Sequence, residues 1–368
     1  MYSARQSRLR EEMRPLGIDA LALIPGPNSL YLTGLSLHVS ERPVLFILWR
    51  EEQPTLILPA FERGKTSSAE FELRVVTYGE HPGSQRVAFR EAISRLDAIQ
   101  TRLALAPFEM RAYEMGLLEE AAPQAQFVSG ERLLEPLRQI KEQYEIGCMR
   151  QAVDFAQRAM QATRPLIRVG ITERELASEL MIQLLRAGSD PEPPFYPIVA
   201  SGPNSALPHA VPSDRRLQEG DFLIIDWGAT HRGYASDLTR TFALAEINPE
   251  LEHVYHVVQR ANAAGVEAVR PGQPAEVVDQ AARRVIETAG YGPQFHHRTG
   301  HGLGLQAHEP PYIRAGNRQP LEAGMTFTVE PGVYIEGLGG VRIEDDVLVT
   351  AQGGERLSDF GRTLEVIA

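Results

Sequence analysis

Four acidic residues stand where a chain folding back on itself would bring them together. Phe222 to Ile225 is an apolar run ending in Asp226, and Asp237 follows eleven residues later, beyond the turn-forming His231, Arg232 and Gly233. The midpoint of the two aspartates falls between His231 and Arg232, and residues equidistant from a hairpin turn face each other with Cβ atoms about 5 Å apart. In the same way Phe327 to Val329 leads into Glu330, and Glu344 is its mirror position about Gly337 in the turn sequence EGLGG. Any one of these acids reads most simply as a surface charge. Four in mirrored positions, behind apolar runs such as DFLII and TFTV, are costly to gather without a cation, because close carboxylates repel and raise one another's pKa.

A nitrogen ligand is expected from HHRTGHGLGLQAHE, where four histidines and three glycines crowd together. His301, flanked by Gly300 and Gly302, is the best placed, since glycine lets the backbone approach an ion or substrate closely. Carboxylate oxygens with one imidazole describe a hard to borderline site, suited to Mn first and to Co or Zn, rather than a thiolate zinc site. Two divalent ions balance four carboxylates and would activate a water for hydrolysis.

The elements that must position these residues form an internal repeat. RVGITERELASELMIQLLRAG (Arg168 to Gly188) and RPGQPAEVVDQAARRVIETAG (Arg270 to Gly290) share length, a third-position Gly and a final Ala-Gly. Both read as helices, the first opened by a capping box of Thr172 and Glu175. Beyond each lies a matching strand, with Leu217, Gly220 and Asp226 in one copy and Leu321, Gly324 and Glu330 in the other. Upstream, residues 1 to 130 alternate helical and strand signals. Helices are expected over Ser3 to Leu16, Gln85 to Leu96 and Arg111 to Ala121, and strands at Ala20 to Ile24, Val44 to Leu48, Leu56 to Leu58 and Leu103 to Leu105. The expected organisation is a small α/β domain over 1–130 and an α+β domain over 131–368 that opens on a long helix from about Glu142 to Leu166.

Composition excludes several alternatives. The 368 residues carry 37 basic and 48 acidic side chains, a net of -11, without the basic stripe of a nucleic-acid binder. Cys148 is the single cysteine, so neither an intrachain disulfide nor a multi-cysteine zinc site can form. The charged N-terminus lacks the apolar stretch of a signal peptide and no run of 18 apolar residues occurs, so a cytoplasmic protein with no membrane partner is expected.

DWGATHRGYASDLTRTF, HRTGHGLGLQAHEPP, TVEPGVYI and GGVRIEDD together resemble the pita-bread metallopeptidases, in order and across the whole second domain. ASGPNSALPHA, with the preceding small domain, resembles the proline-specific branch: prolidase (Xaa-Pro dipeptidase) and aminopeptidase P. The resemblance implies an α/β N-terminal domain plus an α+β C-terminal pita-bread (creatinase/aminopeptidase-like) domain with pseudo-twofold symmetry. It implies Asp226, Asp237, His301, Glu330 and Glu344 as ligands of two metal ions, with Glu330 also moving the proton. His209, His297, His308 and Arg342 would be catalytic or substrate-binding groups, and Thr239 would support the ligands. Tyr312 stands where some prolidases carry an arginine that helps to select dipeptides. The first domain would cap the substrate, with His38 and Arg42 of GLSLHVSERP as contacts, and the chain would act as a homodimer on small proline-containing peptides. Xaa-Pro dipeptidase activity is expected, with Xaa-Pro aminopeptidase activity as the alternative. Two rivals, a creatinase-like hydrolase and a non-catalytic protein-binding module of the same fold, would lack the five ligands.

Overall fold

Strands covered on both faces need uninterrupted apolar runs, and three such runs build the middle of the first sheet. In the computed structural model, which describes residues 1–93, 101–246 and 248–368, Ala20–Leu23 (β1), Leu45–Trp49 (β2) and Thr55–Pro59 (β3) are buried throughout. Arg74–Tyr78 (β4), Arg102–Leu105 (β5) and Gln126–Ser129 (β6) complete a mixed sheet of order β4-β3-β2-β1-β5-β6. Helices α1 (Tyr2–Met13), α2 (Pro27–Thr33), α3 (Ser84–Ile93), α4 (Ala112–Ala121) and the short α5 (Glu131–Leu134) accompany it. Phe89 and Ile93 of α3 and Leu118 of α4 join the sheet's core, each such buried side chain contributing roughly 1.5–3 kcal/mol. Ser94 to Leu96, the end of one expected helix, lie outside the described residues.

The chain divides into two units, Met1–Arg138 and Gln139–Ala368. The division lies somewhat beyond residue 130 because α5 belongs with the first sheet: Gly130 N donates to Leu105 O at 2.7 Å, and Leu133 and Leu134 are buried.

In the second unit the repeat becomes two copies of one arrangement. The first contains α6 (Gln143–Thr163), α7 (Glu173–Ala187), β7 (Ile198–Ser201) and β8 (Phe222–Trp227), then the two-residue strands β9 (Thr230–His231) and β10 (Tyr234–Ala235), and finally β11 (Leu238–Leu244). The second contains α8 (Pro249–Ala268), α9 (Glu276–Thr288), β12 (Gly300–Gly302), β13 (Glu309–Ile313) and β14 (Thr326–Val329). It continues through β15 (Gly332–Ile335), β16 (Gly339–Arg342), β17 (Asp345–Thr350) and β18 (Gly353–Arg356), and β19 (Glu365–Ile367) returns to the first copy's sheet. The principal sheets run β19-β11-β8-β7 and β13-β12-β14-β17-β18, and β15 pairs only with β16.

The two repeat helices start later than the sequence pattern does, and for the same reason in both copies. Gly170 and Gly272 adopt φ of 89° and 84°, which bends the chain into an extended stretch instead of a helical turn. Gly170 N then bonds Leu217 O at 2.8 Å, and Gly272 N bonds Leu321 O at 2.7 Å. The capping box forms in the first copy, where Thr172 Oγ1 accepts from Glu175 N at 3.1 Å and Thr172 N donates to Glu175 Oε2 at 2.8 Å. In the second copy Ala275 precedes α9 and supplies no side-chain cap.

The copies meet along a short seam. Glu344 N donates to Thr239 O at 3.1 Å, and the buried Arg240 guanidinium donates to Glu344 O at 2.6 Å and to Asp345 at 2.9 Å. Among the described residues no helix is long and apolar enough to cross a membrane.

Candidate metal centre

The first hairpin departs from the expected register. Arg232 and Gly233 hold φ of 53° and 82°, the left-handed pair that a two-residue hairpin loop requires. The turn is therefore centred between these two residues, one position later than expected, and Asp226 lies opposite Thr239. Asp237 falls two places before Thr239, diagonal to Asp226 instead of directly across. An even offset preserves the face, so both aspartates still point to one side. The second hairpin folds about Gly337, with Gly332 opposite Arg342 and Val329 opposite Asp345, the pairing in which Glu330 mirrors Glu344.

Asp237, His301 and Glu344 each offer a ligand atom within 4.8 Å of the others. His301 Nε2 lies 3.7 Å from Asp237 Oδ2 and 3.3 Å from Glu330 Oε1. The other ring nitrogen, Nδ1, is 3.2 Å from Gly302 O, so Nδ1 carries the proton and Nε2 presents a lone pair. Burial first, then His308, holds His301 well below the usual imidazole range. A neutral nitrogen facing two carboxylate oxygens repels them unless a cation, or a proton on one of the acids, lies between. Asp226 adds a second sign of the same need, because its Oδ1 is buried without a hydrogen-bond partner. The donor set therefore fits divalent metal.

The glycines that frame His301 also answer to strand packing. A Cβ at Gly300 would stand 1.8 Å from Thr328 O, and one at Gly302 would stand 2.4 Å from Pro310 O. These glycines admit the neighbouring strands' carbonyls, which lets β12 run between β13 and β14.

Burial, then Glu344 and Asp226, pushes Asp237 well above the usual carboxylate range, and burial, then Glu330, does the same to Glu344. Burial raises Glu330 to about 7, against the opposing pull of Arg342. These groups bind protons in the folded protein that they release when unfolded, where such groups titrate near 4. The stability that comes from protonating Glu330 is complete below about pH 4 and is lost as pH rises through about 7; Asp237 and Glu344 shift in the same direction. Metal-free protein is therefore expected to melt progressively lower between pH 5 and 8. Saturating Mn should restore roughly 5–10 °C at the alkaline end and release protons on binding. Melting curves with and without chelator, and calorimetry in two buffers, check both; a metal-induced shift that shrinks with rising pH would refute the account.

Around the acids lies a shell of polar groups. Thr239 Oγ1 donates to Glu344 Oε2 at 2.5 Å. Arg342, 3% exposed, donates to Asp226 Oδ2 at 2.6 Å, to Pro208 O at 3.1 Å, to Tyr334 Oη at 2.9 Å and to Thr239 Oγ1 at 3.3 Å. His297 is enclosed: Nδ1 meets Arg298 O at 2.7 Å and Nε2 meets Tyr334 Oη at 3.0 Å, and burial lowers its pKa to about 3. His308 is exposed with its ring 4.0 Å from that of His301. Partial burial of its ring, then Arg298 and His209, lower its pKa; His209 is itself exposed and follows Pro208, whose carbonyl accepts from Arg342. Tyr312 pairs with His301 across β12 and β13. His38 and Arg42 belong to the first unit; His38 is exposed, and Arg42 bonds Glu80 at 3.0 Å and lies 5.4 Å from the Phe61 ring.

Three members of this constellation were not foreseen. Tyr334 and Asp346 share the even-numbered face of Glu330, Arg342 and Glu344, so strand alternation alone could have found them. Asp346 Oδ2 accepts from Asp237 N at 3.0 Å. Arg298, inside the histidine-glycine cluster, sits 4.7 Å over the Tyr312 ring, a non-local contact with no local signal.

Residues 147–351 match the model of metallopeptidase family M24, and residues 5–140 match that of the creatinase/prolidase N-terminal domain. The chain belongs to metallopeptidase family M24. It is 34% identical to the putative dipeptidase YkvY of Bacillus subtilis, over 99% of both chains. It is 33% identical to the Xaa-Pro dipeptidase of Pyrococcus horikoshii, again over 99% of both. The crystal structure of a recombinant prolidase from Thermococcus sibiricus superposes with a TM-score of 0.94 at 34% identity, covering 100% of this chain and 99% of that one.

Proposed function

We propose that this enzyme is an Xaa-Pro dipeptidase, acting with two divalent ions, Mn foremost, held by Asp226, Asp237, His301, Glu330 and Glu344. The observation that carries the metal reading is the lone pair of His301 Nε2 set against Asp237 and Glu330. Divalent ions supply Lewis acidity and lower the pKa of water from about 16 toward 7. Glu330 would take a proton from the attacking water and return it to the proline nitrogen. His308 would donate to the developing oxyanion. His209 would line the same space, while Arg342 and Tyr334 hold Asp226 and His297 in place.

Arg298 favours a dipeptide. Its guanidinium is half-buried on Tyr312, and among the described residues no carboxylate pairs with it, so a free substrate carboxylate would find its partner there. Hydrolysis of Ala-Pro should exceed that of Ala-Pro-Ala by at least about tenfold, and Arg298→Ala should weaken kcat/KM for Ala-Pro by roughly 10²-fold while sparing the tripeptide. Preference for Ala-Pro-Ala would make the enzyme an aminopeptidase, and inactivity toward both would remove the proline assignment. Substrate capping by the first domain, through His38 and Arg42, and a homodimeric state complete this reading; light scattering tests the second.

A further inference from the structure

His209 is delivered by the loop between β7 and β8, and the base of that loop is closed by a side chain from another element. Glu173, the first residue of α7, is fully buried. Its carboxylate accepts from Ser201 N and Ser201 Oγ, both at 2.8 Å, from Asn204 Nδ2 at 3.1 Å, and from Ser213 N at 3.1 Å and Ser213 Oγ at 2.6 Å. Ser201 and Ser213 bracket the loop, so one carboxylate joins its two ends. Farther along, the loop is fastened to the metal-site hairpin, with Ser205 Oγ accepting from Gly340 N at 2.8 Å and Pro208 O accepting from Arg342 at 3.1 Å. His209 is the next residue.

The other repeat helix does the same for its own histidines. Asp279, in the first turn of α9, accepts from Thr299 N at 3.2 Å and from Thr299 Oγ1 at 2.7 Å, two residues before His301. It also pairs with Arg283, which donates to His297 O at 2.8 Å. The sequences do not align these two acids, since Glu173 matches Ala275 and Asp279 matches Ala177. The shared feature is a buried acid in the opening turn that binds a histidine-bearing segment.

We propose that Glu173 is a positioning residue for the reaction, acting through His209 by fixing the loop Ser201 to Ser213; this rests on the placement of His209 in the substrate site given above. Glutamine at 173 keeps the shape but turns an amide NH₂ toward donors. Serine hydroxyls can rotate away, whereas the N–H groups of Ser201 and Ser213 cannot, so the loop must shift. The metal ligands lie outside it.

The test is a double-mutant cycle on the metal-loaded enzyme with Ala-Pro. Glu173→Gln should lower kcat by about 10–100-fold, with unchanged metal content per chain. In the His209→Ala background the same substitution should change kcat by less than about threefold, because the group it positions is gone. Ser213→Ala, which removes one hydroxyl and leaves the fold intact, should give a smaller loss in the same direction that also vanishes in that background. Equal losses in both backgrounds, or loss of bound metal, overturn the proposal. Full activity of His209→Ala alone would instead remove the placement of His209, and the proposal with it.

Discussion

Glu330→Gln is expected to lower kcat on Ala-Pro by about 10²–10⁴-fold in enzyme loaded with Mn. The reason lies in the setting of this carboxylate. Glu330 follows β14 and is held by its backbone N–H to Thr299 O at 2.8 Å and through Thr328 Oγ1 at 3.3 Å. Without metal, burial brings its pKa to about 7; bound cations pull it down, and the carboxylate so held is free to accept and return a proton. An amide of the same shape can do neither. It also removes one negative charge from the cluster, so metal content must be measured alongside rate: full metal with lost turnover isolates the proton-transfer role, and near wild-type turnover would end the assignment.

The second large effect is structural. Arg342→Met should destabilise the metal-free protein by about 3–5 kcal/mol, because removing one partner of a buried ion pair strands the other. Asp226 would be left with Oδ1 already unpartnered and Oδ2 newly so, and Tyr334 and Pro208 would lose a donor as well. Urea unfolding at pH 7 reads the loss. Saturating Mn should recover part of it, since the ion supplies the positive charge that the guanidinium no longer does. A change below about 1 kcal/mol in metal-free protein would mean that Arg342 is not the counter-charge of Asp226.

Much of this centre was legible in the sequence because its logic is local. A hairpin turn and the period of two place Glu330 opposite Glu344 with no knowledge of the rest of the chain, and the duplicated Gly and Leu positions reveal the two copies. The register of the first hairpin was misjudged by a small step, because Arg232 takes a left-handed conformation that the sequence HRG does not compel. The edge strand Gln126–Ser129 left no alternating pattern, since its residues are exposed or half-buried. What joins distant segments was illegible: Arg298 over Tyr312, Glu173 under the His209 loop, and Arg342 on Asp226 each depend on how separately encoded elements come together. The glycines beside His301 could be found but not explained, because only packing shows that strand carbonyls press against them.

The seam between Thr239 and Glu344 ties the acids of one copy to those of the other through main chain and guanidinium alike. Neither copy can rotate without carrying its share of the cluster away from the rest, so keeping the four acids together requires the central ribbons to stay still. One copy alone would offer only one acid pair, and the enclosure of the site is a property of both.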